Sequence, residues 1–465
     1  MIPCHGGADD TRACVRSLQS SAAAARDLEI VIVDNASPDD TSRIGSEFRD
    51  TRVVRSNANL GFAGGVNLGV AEARADRLLV VNNDTLAGPR MLDRLEAGLD
   101  ADPRIGFVAP TSNHVKGPAR IDVGPLGRTE TERSEIEDML ADVAGHAPLQ
   151  DVATLSGLCL MFDRSVYEQL GGFDDRFGAG MFEDDDLSLR AQIEGWRLVI
   201  ARTAFLFHHG HRTFERLGHD FRATIEAKLA CFRDKWEPDP AGRTYLELTV
   251  GDPGRAPLHA DEALARHPRW AEPHRVLADA AHRRGDFETA LPHVDRFLES
   301  KPQHGPSRVL RALCTIAGGD DERGRLQLES AFSTCWFDTD DLARSLADLG
   351  RLYLLLERPA DALPHLESAH ELDPEHAENA NLLGAALLGT GRRTRAIAVL
   401  ENAARGGCVA AHNNLGICAW QVGDRERAVR EFELAAAGAP TDQGFRANLS
   451  RARAALDSSA TARRG

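Results

Sequence analysis

The sequence predicts two folds in series: an α/β domain with a mostly parallel sheet over residues 1–236, then an all-α stack of helical repeats over residues 237–465. Three observations carry this. Before Trp236, short and almost wholly apolar β-rich runs alternate with helical stretches, the pattern of strands covered on both faces. After Trp236 those runs stop. In their place the pair Leu349-Gly350 returns as Leu383-Gly384, 34 residues on, with Ala362/Ala396 and Ala369/Ala403 in step.

Taken in order, the strand candidates are Ile30–Val33, Leu78–Val81, Gly106–Ala109, Leu158–Phe162, Leu198–Ile200 and Ala204–Phe207. Helices are expected between them, at about Asp9–Gln19, Thr41–Arg49, Gly64–Ala73, Pro89–Asp100, Ser165–Leu170 and Asp185–Glu194. Sheets of this kind bind ligands beyond the carboxyl ends of their strands. Polar residues just after the strands are therefore the places to look for chemistry.

In the second half a further copy, Leu415-Gly416 with Ala428 and Ala435, follows after 32 residues, and Gly285-Asp286 and Gly319-Asp320 mark earlier ones. Small residues where two helices cross, Gly in the turn between them and Pro302, Pro374 and Pro440 closing each unit resemble the tetratricopeptide repeat. The resemblance implies a groove for a protein partner, lined by first helices that carry Arg344-Ser345, Asn379, Asn381 and Asn413-Asn414. A stack that only stabilises or oligomerises the chain is the plainer alternative. Thr441–Ala455 reads as a capping helix and Ser458–Gly465 as a frayed tail.

Composition excludes other classes. With 55 basic and 71 acidic residues the net charge is −16, which disfavours nucleic acid. No apolar run approaches the roughly 18–20 residues of a membrane span. No two of the eight cysteines lie closer than ten positions, so CxxC metal or redox motifs are absent. A cytoplasmic protein, or one peripheral at the inner face of the membrane, is expected, with most of the cysteines acting as small buried hydrophobes.

Five constellations carry candidate chemistry. VDNASPDDT (33–41) ends a strand in Asp34-Asn35; Asp39 and Asp40 are accounted for as helix caps, but Asp34 is not. NLGFAGGVN (59–67) sets glycines before a helix N-terminus, where a ligand can approach the backbone. VVNNDT (80–85) ends an apolar strand in two amides and a carboxylate, with Asn82 and Asp84 on one side of an extended segment. MFEDDDLSLR (181–190) packs four acids, Glu183 to Asp186; a helix N-terminus favours one or two of these, and four call for a cation or a buried proton. AFLFHHGH (204–211) opens an apolar run into His208, His209 and His211, which suits a metal or a phosphate.

In this order, together with GGFDDRF (171–177), the motifs closely resemble glycosyltransferase family 2, in its rhamnosyl- and galactofuranosyltransferase-like branch with the GT-A fold. The match runs over about residues 1–236. It implies a nucleoside-diphosphate sugar donor, UDP- or dTDP-linked, a divalent cation (Mg2+ or Mn2+), inversion at the anomeric carbon, and a hydroxyl acceptor on a glycan, a carrier lipid or a protein. Carried over by position, Pro3, Asp34, Asn59, Gly65, Asn67, Asn82 and Asn83 hold the donor. Asp84 and His208 bind the metal, with His209 the fallback. Asp184 is the catalytic base, and Glu183 and Asp186 tune it or bind acceptor. Chemistry concurs: in an acidic pocket the charge developing on a diphosphate needs a cation, and inversion needs a carboxylate to take the acceptor's proton.

Family members have a first strand of about five apolar residues before Ile-Pro, whereas this chain has Met1-Ile2-Pro3, which predicts a true start upstream. A decayed, non-catalytic scaffold is the alternative function, disfavoured by the retention of Asp84, Asp184 and His208. A sugar nucleotidyltransferase is disfavoured because Pro3-Cys4-His5-Gly6-Gly7 has no basic residue for a triphosphate.

Overall fold

The computed structural model describes residues 1–21, 27–145, 147–178, 180–210 and 221–462. Its N-terminal part begins with three parallel strands, β1 (Ile2–Cys4), β2 (Ile30–Asn35) and β3 (Thr51–Ser56), in the order β1-β2-β3. Helix α1 (Ala8–Ser21) links the first two, and α2 (Gly61–Glu72) follows the third. A second, mixed sheet has β4 (Arg77–Val81), β8 (Cys159–Asp163), β6 (Ile105–Ser112), β9 (Arg197–His208) and β5 (Thr85–Ala87) in that order, with β7 (Leu149–Asp151) also on β9. Here β6 and β9 run parallel, while β4 and β6 are antiparallel to β8 and β5 and β7 are antiparallel to β9. Helices α3 (Met91–Asp100), α4 (Glu130–Ala144), α5 (Arg164–Leu170) and α6 (Glu183–Ile193) complete this part.

Alternation along β2 explains why its run is wholly apolar. Ile30 and Ile32 pack on one side with Val15, Leu18, Met91 and Leu95, whereas Val31 and Val33 pack on the other with Val66, Val70 and Phe162. Each such side chain removed from water contributes about 1.5–3 kcal/mol. The two runs read as separate strands near residues 200 and 205 form one strand, β9. Its register against β6 jumps from Pro110↔Ala201 to Thr111↔Phe205, so Arg202-Thr203-Ala204 bulge out of the ladder. Beyond the bulge β9 carries His208 to the end of the sheet. The segment after Asp39 is a 3-10 helix, Asp40–Ser46, with Asp39 as its cap.

The chain divides into two compact units, Met1–Trp336 and Phe337–Gly465. In the first, α7 (Phe221–Trp236) and α8 (Pro240–Thr249) precede further helices up to Thr334. These helices are fastened to the sheet domain. The buried Lys301 amine donates to the Val152 carbonyl at 2.9 Å and to Gln192 Oε1 at 2.7 Å. Trp336 lies under the Arg202 guanidinium, 3.8 Å from it.

In the second unit, Thr339–Leu355 packs on Pro359–Leu372, Ala377–Gly389 on Arg393–Arg405, and Val409–Gln421 on Arg425–Gly438. The Leu-Gly spacing has a steric cause. A Cβ on Gly350, Gly384 or Gly416 would stand 2.4, 2.5 or 2.6 Å from Leu366, Leu400 or Phe432 of the following helix. The in-step alanines Ala362, Ala396 and Ala428 are fully buried at these crossings. Asn414 donates to Asn381 at 2.9 Å and Asn448 to Asn413 at 2.7 Å, so these amides knit neighbouring repeats together. The last helix is Gln443–Ala462, longer than the sequence suggests. The eight cysteines are free, and all but Cys231 and Cys408 are buried.

Candidate active site

A cavity of about 590 Å³ opens where the carboxyl ends of β1, β2, β4, β6 and β9 meet the start of β8 and the N-terminus of α6. Pro3, Asn59, Asn82, Asn83, Asp84, Glu183, Asp184 and His208 all line it. Residues far apart in sequence are thus brought together from five strand or helix ends.

Asp84 and His208 meet in the cavity wall. His208 sits opposite Thr85 in the β5–β9 ladder, and its backbone is bracketed by the Asn113 amide, which accepts at 2.8 Å and donates at 3.1 Å. The ring Nδ1 donates to the His114 carbonyl at 2.6 Å. That leaves Nε2 facing Asp84, 3.4 Å from Oδ1. Burial disfavours the imidazolium, but the Asp84 carboxylate and the His114 carbonyl outweigh it and raise the His208 pKa. Burial disfavours the Asp84 carboxylate, but the contact with His208 outweighs it and lowers the Asp84 pKa. A buried carboxylate oxygen beside an imidazole nitrogen with its tautomer fixed suits a divalent cation. Among the described residues no group of three or more His, Cys, Asp or Glu is arranged to hold a metal.

Glu183 and Asp184 reach the cavity from the first turn of α6. The turn before it is unusual: Met181 and Phe182 both have left-handed backbones, at φ 77° and 67°. Asp184 accepts from the Gly157 N–H at 3.1 Å and from the Asp185 N–H at 3.0 Å. Burial, then the charge of Asp185, pushes its pKa up to about 7. Glu183 is 6% exposed, its Oε2 has no hydrogen-bond partner, and burial followed by the Asp184 charge raises its pKa well above the usual value.

Several expected site residues stand elsewhere. Asp34 is fully buried and does not line the cavity: its carboxylate takes the Ser37 N–H at 2.8 Å and the Arg55 guanidinium. Gly65 lies beneath the Asn35 amide, where a Cβ would come within 2.8 Å, so its smallness serves Asn35 and not a ligand contact. Asn67 is spent on the GGFDDRF loop, donating to the Phe173 carbonyl and Asp175 and accepting from Tyr167 at 2.6 Å. Asp186 faces away from the cavity, bound to Arg190, Lys235 and Trp236. The His209 ring packs edge-on against Phe207, 5.1 Å away, while the His209 backbone N–H donates to the Asp84 carbonyl. His211 lies outside the described residues. Asn83 lines the cavity, yet its amide donates to the Gly6 carbonyl and Thr11.

The cavity also contains residues that the motifs did not single out. His5 follows β1 and Asn35 ends β2, and their position at a strand end was the available signal. Lys116 and Arg120 come from the segment after β6, which carries no readable pattern.

The sequence model of glycosyl transferase family 2 matches residues 1–171, from β1 through α5. Residues 1–171 are a family 2 glycosyltransferase domain. Tetratricopeptide-repeat models match residues 245–305, 353–406 and 381–443, so the glycosyltransferase domain is followed by such repeats. An uncharacterized protein of Mycobacterium tuberculosis is 28% identical over 277 residues, 58% of this chain and 91% of the relative. The N-acetylglucosaminyl-diphospho-decaprenol L-rhamnosyltransferase of the same species is 28% identical over 216 residues, 41% of this chain and 69% of the relative. The O-antigen biosynthesis protein RfbC of Myxococcus xanthus is 25% identical over 282 residues, 58% of this chain and 21% of the relative. Among the described residues no helix is long and apolar enough to cross a membrane.

Proposed function

We propose that this glycosyltransferase is metal-dependent and inverting, with residues 1–236 as the catalytic domain and residues 237–465 as repeats that recruit an acceptor or a partner protein. It moves a hexose or a deoxyhexose such as rhamnose from a UDP- or dTDP-linked donor to a hydroxyl of a glycan, a carrier lipid or a protein. The observation that supports this reading is that Asp84, His208 and Asp184 all line a single cavity. The name of the rhamnosyl-transferring relative makes dTDP-rhamnose and a lipid-diphosphate-linked sugar the first donor and acceptor to try. Free, mostly buried cysteines fit a cytoplasmic or inner-face location.

In this reading Asp84 and His208 hold Mg2+ or Mn2+, which when bound offsets charge on the diphosphate. Asn59, Asn82 and Asn35 lie where the nucleotide enters. Asp184, ionised, accepts the acceptor hydroxyl proton while that oxygen bonds to the anomeric carbon. The bond from that carbon to the diphosphate oxygen breaks on the opposite face, and configuration inverts. A pKa near 7 matches this task, because the group is then a base at working pH yet strong enough to draw the proton.

The test is a screen of nucleotide sugars for thermal stabilisation that requires Mg2+ or Mn2+, followed by transfer assays with the donor found. Stabilisation and transfer by the wild type support the reading. A chain that binds no nucleoside diphosphate with either metal overturns it.

A further inference from the structure

The four consecutive acids of α6 divide their work between two surfaces. Successive residues of a helix project about 100° apart, so the run fans out around the axis. Glu183 and Asp184 reach the cavity. Asp185 and Asp186 instead reach α7 and α8, which lie beyond the family 2 match. The Tyr245 hydroxyl donates to Asp185 Oδ1 at 2.5 Å, the Trp236 indole N–H to Asp186 Oδ1 at 2.8 Å, and Lys235 lies 2.5 Å from the same oxygen. The rings of Phe182 and Tyr245 both pack on Phe232, at 5.7 and 5.6 Å. A turn with two left-handed residues is held only when its surroundings fix it. Here the surroundings are α7 and α8.

We propose that Tyr245 and Asp185 are positioning residues for Asp184, so that the helix where the repeat match begins completes the transfer site. Tyr245 pins the Asp185 carboxylate, and Asp185 in turn presents both its N–H and its charge to Asp184. Burial and the Asp185 charge keep the Tyr245 hydroxyl protonated, hence a donor. Among the described residues, the other charged groups that line the cavity with Asp184 are Glu183 on its own helix, Lys116, Arg120 and the Asp84–His208 pair, while Lys228 on α7 faces Glu183. None of these occupies the link between α8 and the base.

The proposal rests on Asp184 as the base, but its test does not need turnover. Full-length protein labelled with 13C at aspartate carboxyls is titrated by NMR, with Asp184→Asn to assign the signal. Asp185→Asn lowers the Asp184 midpoint by about 1 pH unit, since a neighbouring like charge is removed. Tyr245→Phe, which keeps the ring in its cluster, shifts it in the same direction by less, because the unpinned carboxylate turns toward solvent. With a donor that the wild type uses, Tyr245→Phe lowers kcat about 10-fold or more and leaves the donor KM unchanged. Midpoints indistinguishable from wild type in both variants, with unchanged melting temperature, overturn the proposal. A chain that titrates as expected but transfers no sugar sinks the proposed function and leaves this coupling standing.

Discussion

His208 Nε2 faces Asp84 Oδ1 across 3.4 Å, although 124 positions separate the two residues in the chain. The last residue of β9 thereby meets the residue that directly precedes β5. The first prediction concerns this pair. Mg2+ or Mn2+ together with a nucleoside diphosphate at 100 times its Kd stabilises the wild type by about 2.7 kcal/mol. Asp84→Ala abolishes this increment while the melting temperature without ligand stays close to wild type. Equal stabilisation of the variant in a thermal-shift assay refutes the assignment.

Asp184→Asn is expected to reduce transfer by about 10²–10⁴-fold with donor affinity unchanged, the loss of a general base. Transfer by the wild type rises with pH through about 7, as Asp184 ionises. A pH–rate profile that is flat from 5 to 9 contradicts the role.

The same carboxyl affects stability with a definite sign. Its folded pKa of about 7 lies above the unfolded value of about 3.9, so the folded state holds the proton more tightly. The stability it contributes is full below about 3.9 and lost as pH rises through about 7. Asp184→Asn is therefore more stable than wild type at pH 8, with the gap closing toward pH 4, as urea titrations at the two pH values will show.

In the second unit, Gly384→Ala puts a methyl 2.5 Å from Leu400 and is expected to cost about 1–3 kcal/mol. A variant with the urea midpoint of the wild type argues against the crossing as the cause of the Leu-Gly spacing.

Glu357 holds a left-handed backbone, φ 58°, at the position where the next repeat has Gly391, φ 78°. Non-glycine residues spend about 1–2 kcal/mol there. Glu357→Gly is expected to stabilise the unit by about 0.5–1 kcal/mol after the glycine's greater unfolded-state entropy is counted. Calorimetry showing destabilisation rules this out.

What the sequence reveals depends on how far apart the cooperating residues lie. β2, β4 and β8 are legible because strands buried on both faces are continuous apolar runs. β9 reads as two strands because Arg202 and Thr203 leave the ladder at its bulge. β3, Thr51–Ser56, escapes notice because half-buried residues with two arginines carry no apolar run. The motifs locate the cavity, since its walls are strand ends. They do not separate residues that face it from those that support it: Asp34 and Asn67 look as polar as Asp84, and only their hydrogen bonds distinguish them. Tyr245 is invisible at the sequence level because its partner lies 60 residues earlier.

The buried amine of Lys301 has a consequence in time. Its partner Gln192 leaves the ribosome 109 residues before it does, a delay of roughly 5–20 s at synthesis rates of about 5–20 residues per second. Throughout that interval the Gln192 and Val152 acceptors have water where the ammonium will sit. The end of α6 and the segment just past β7 to which they belong are sealed only after the helices through Lys301 have been made, so the sheet domain, although first to emerge, is completed by helices that follow it.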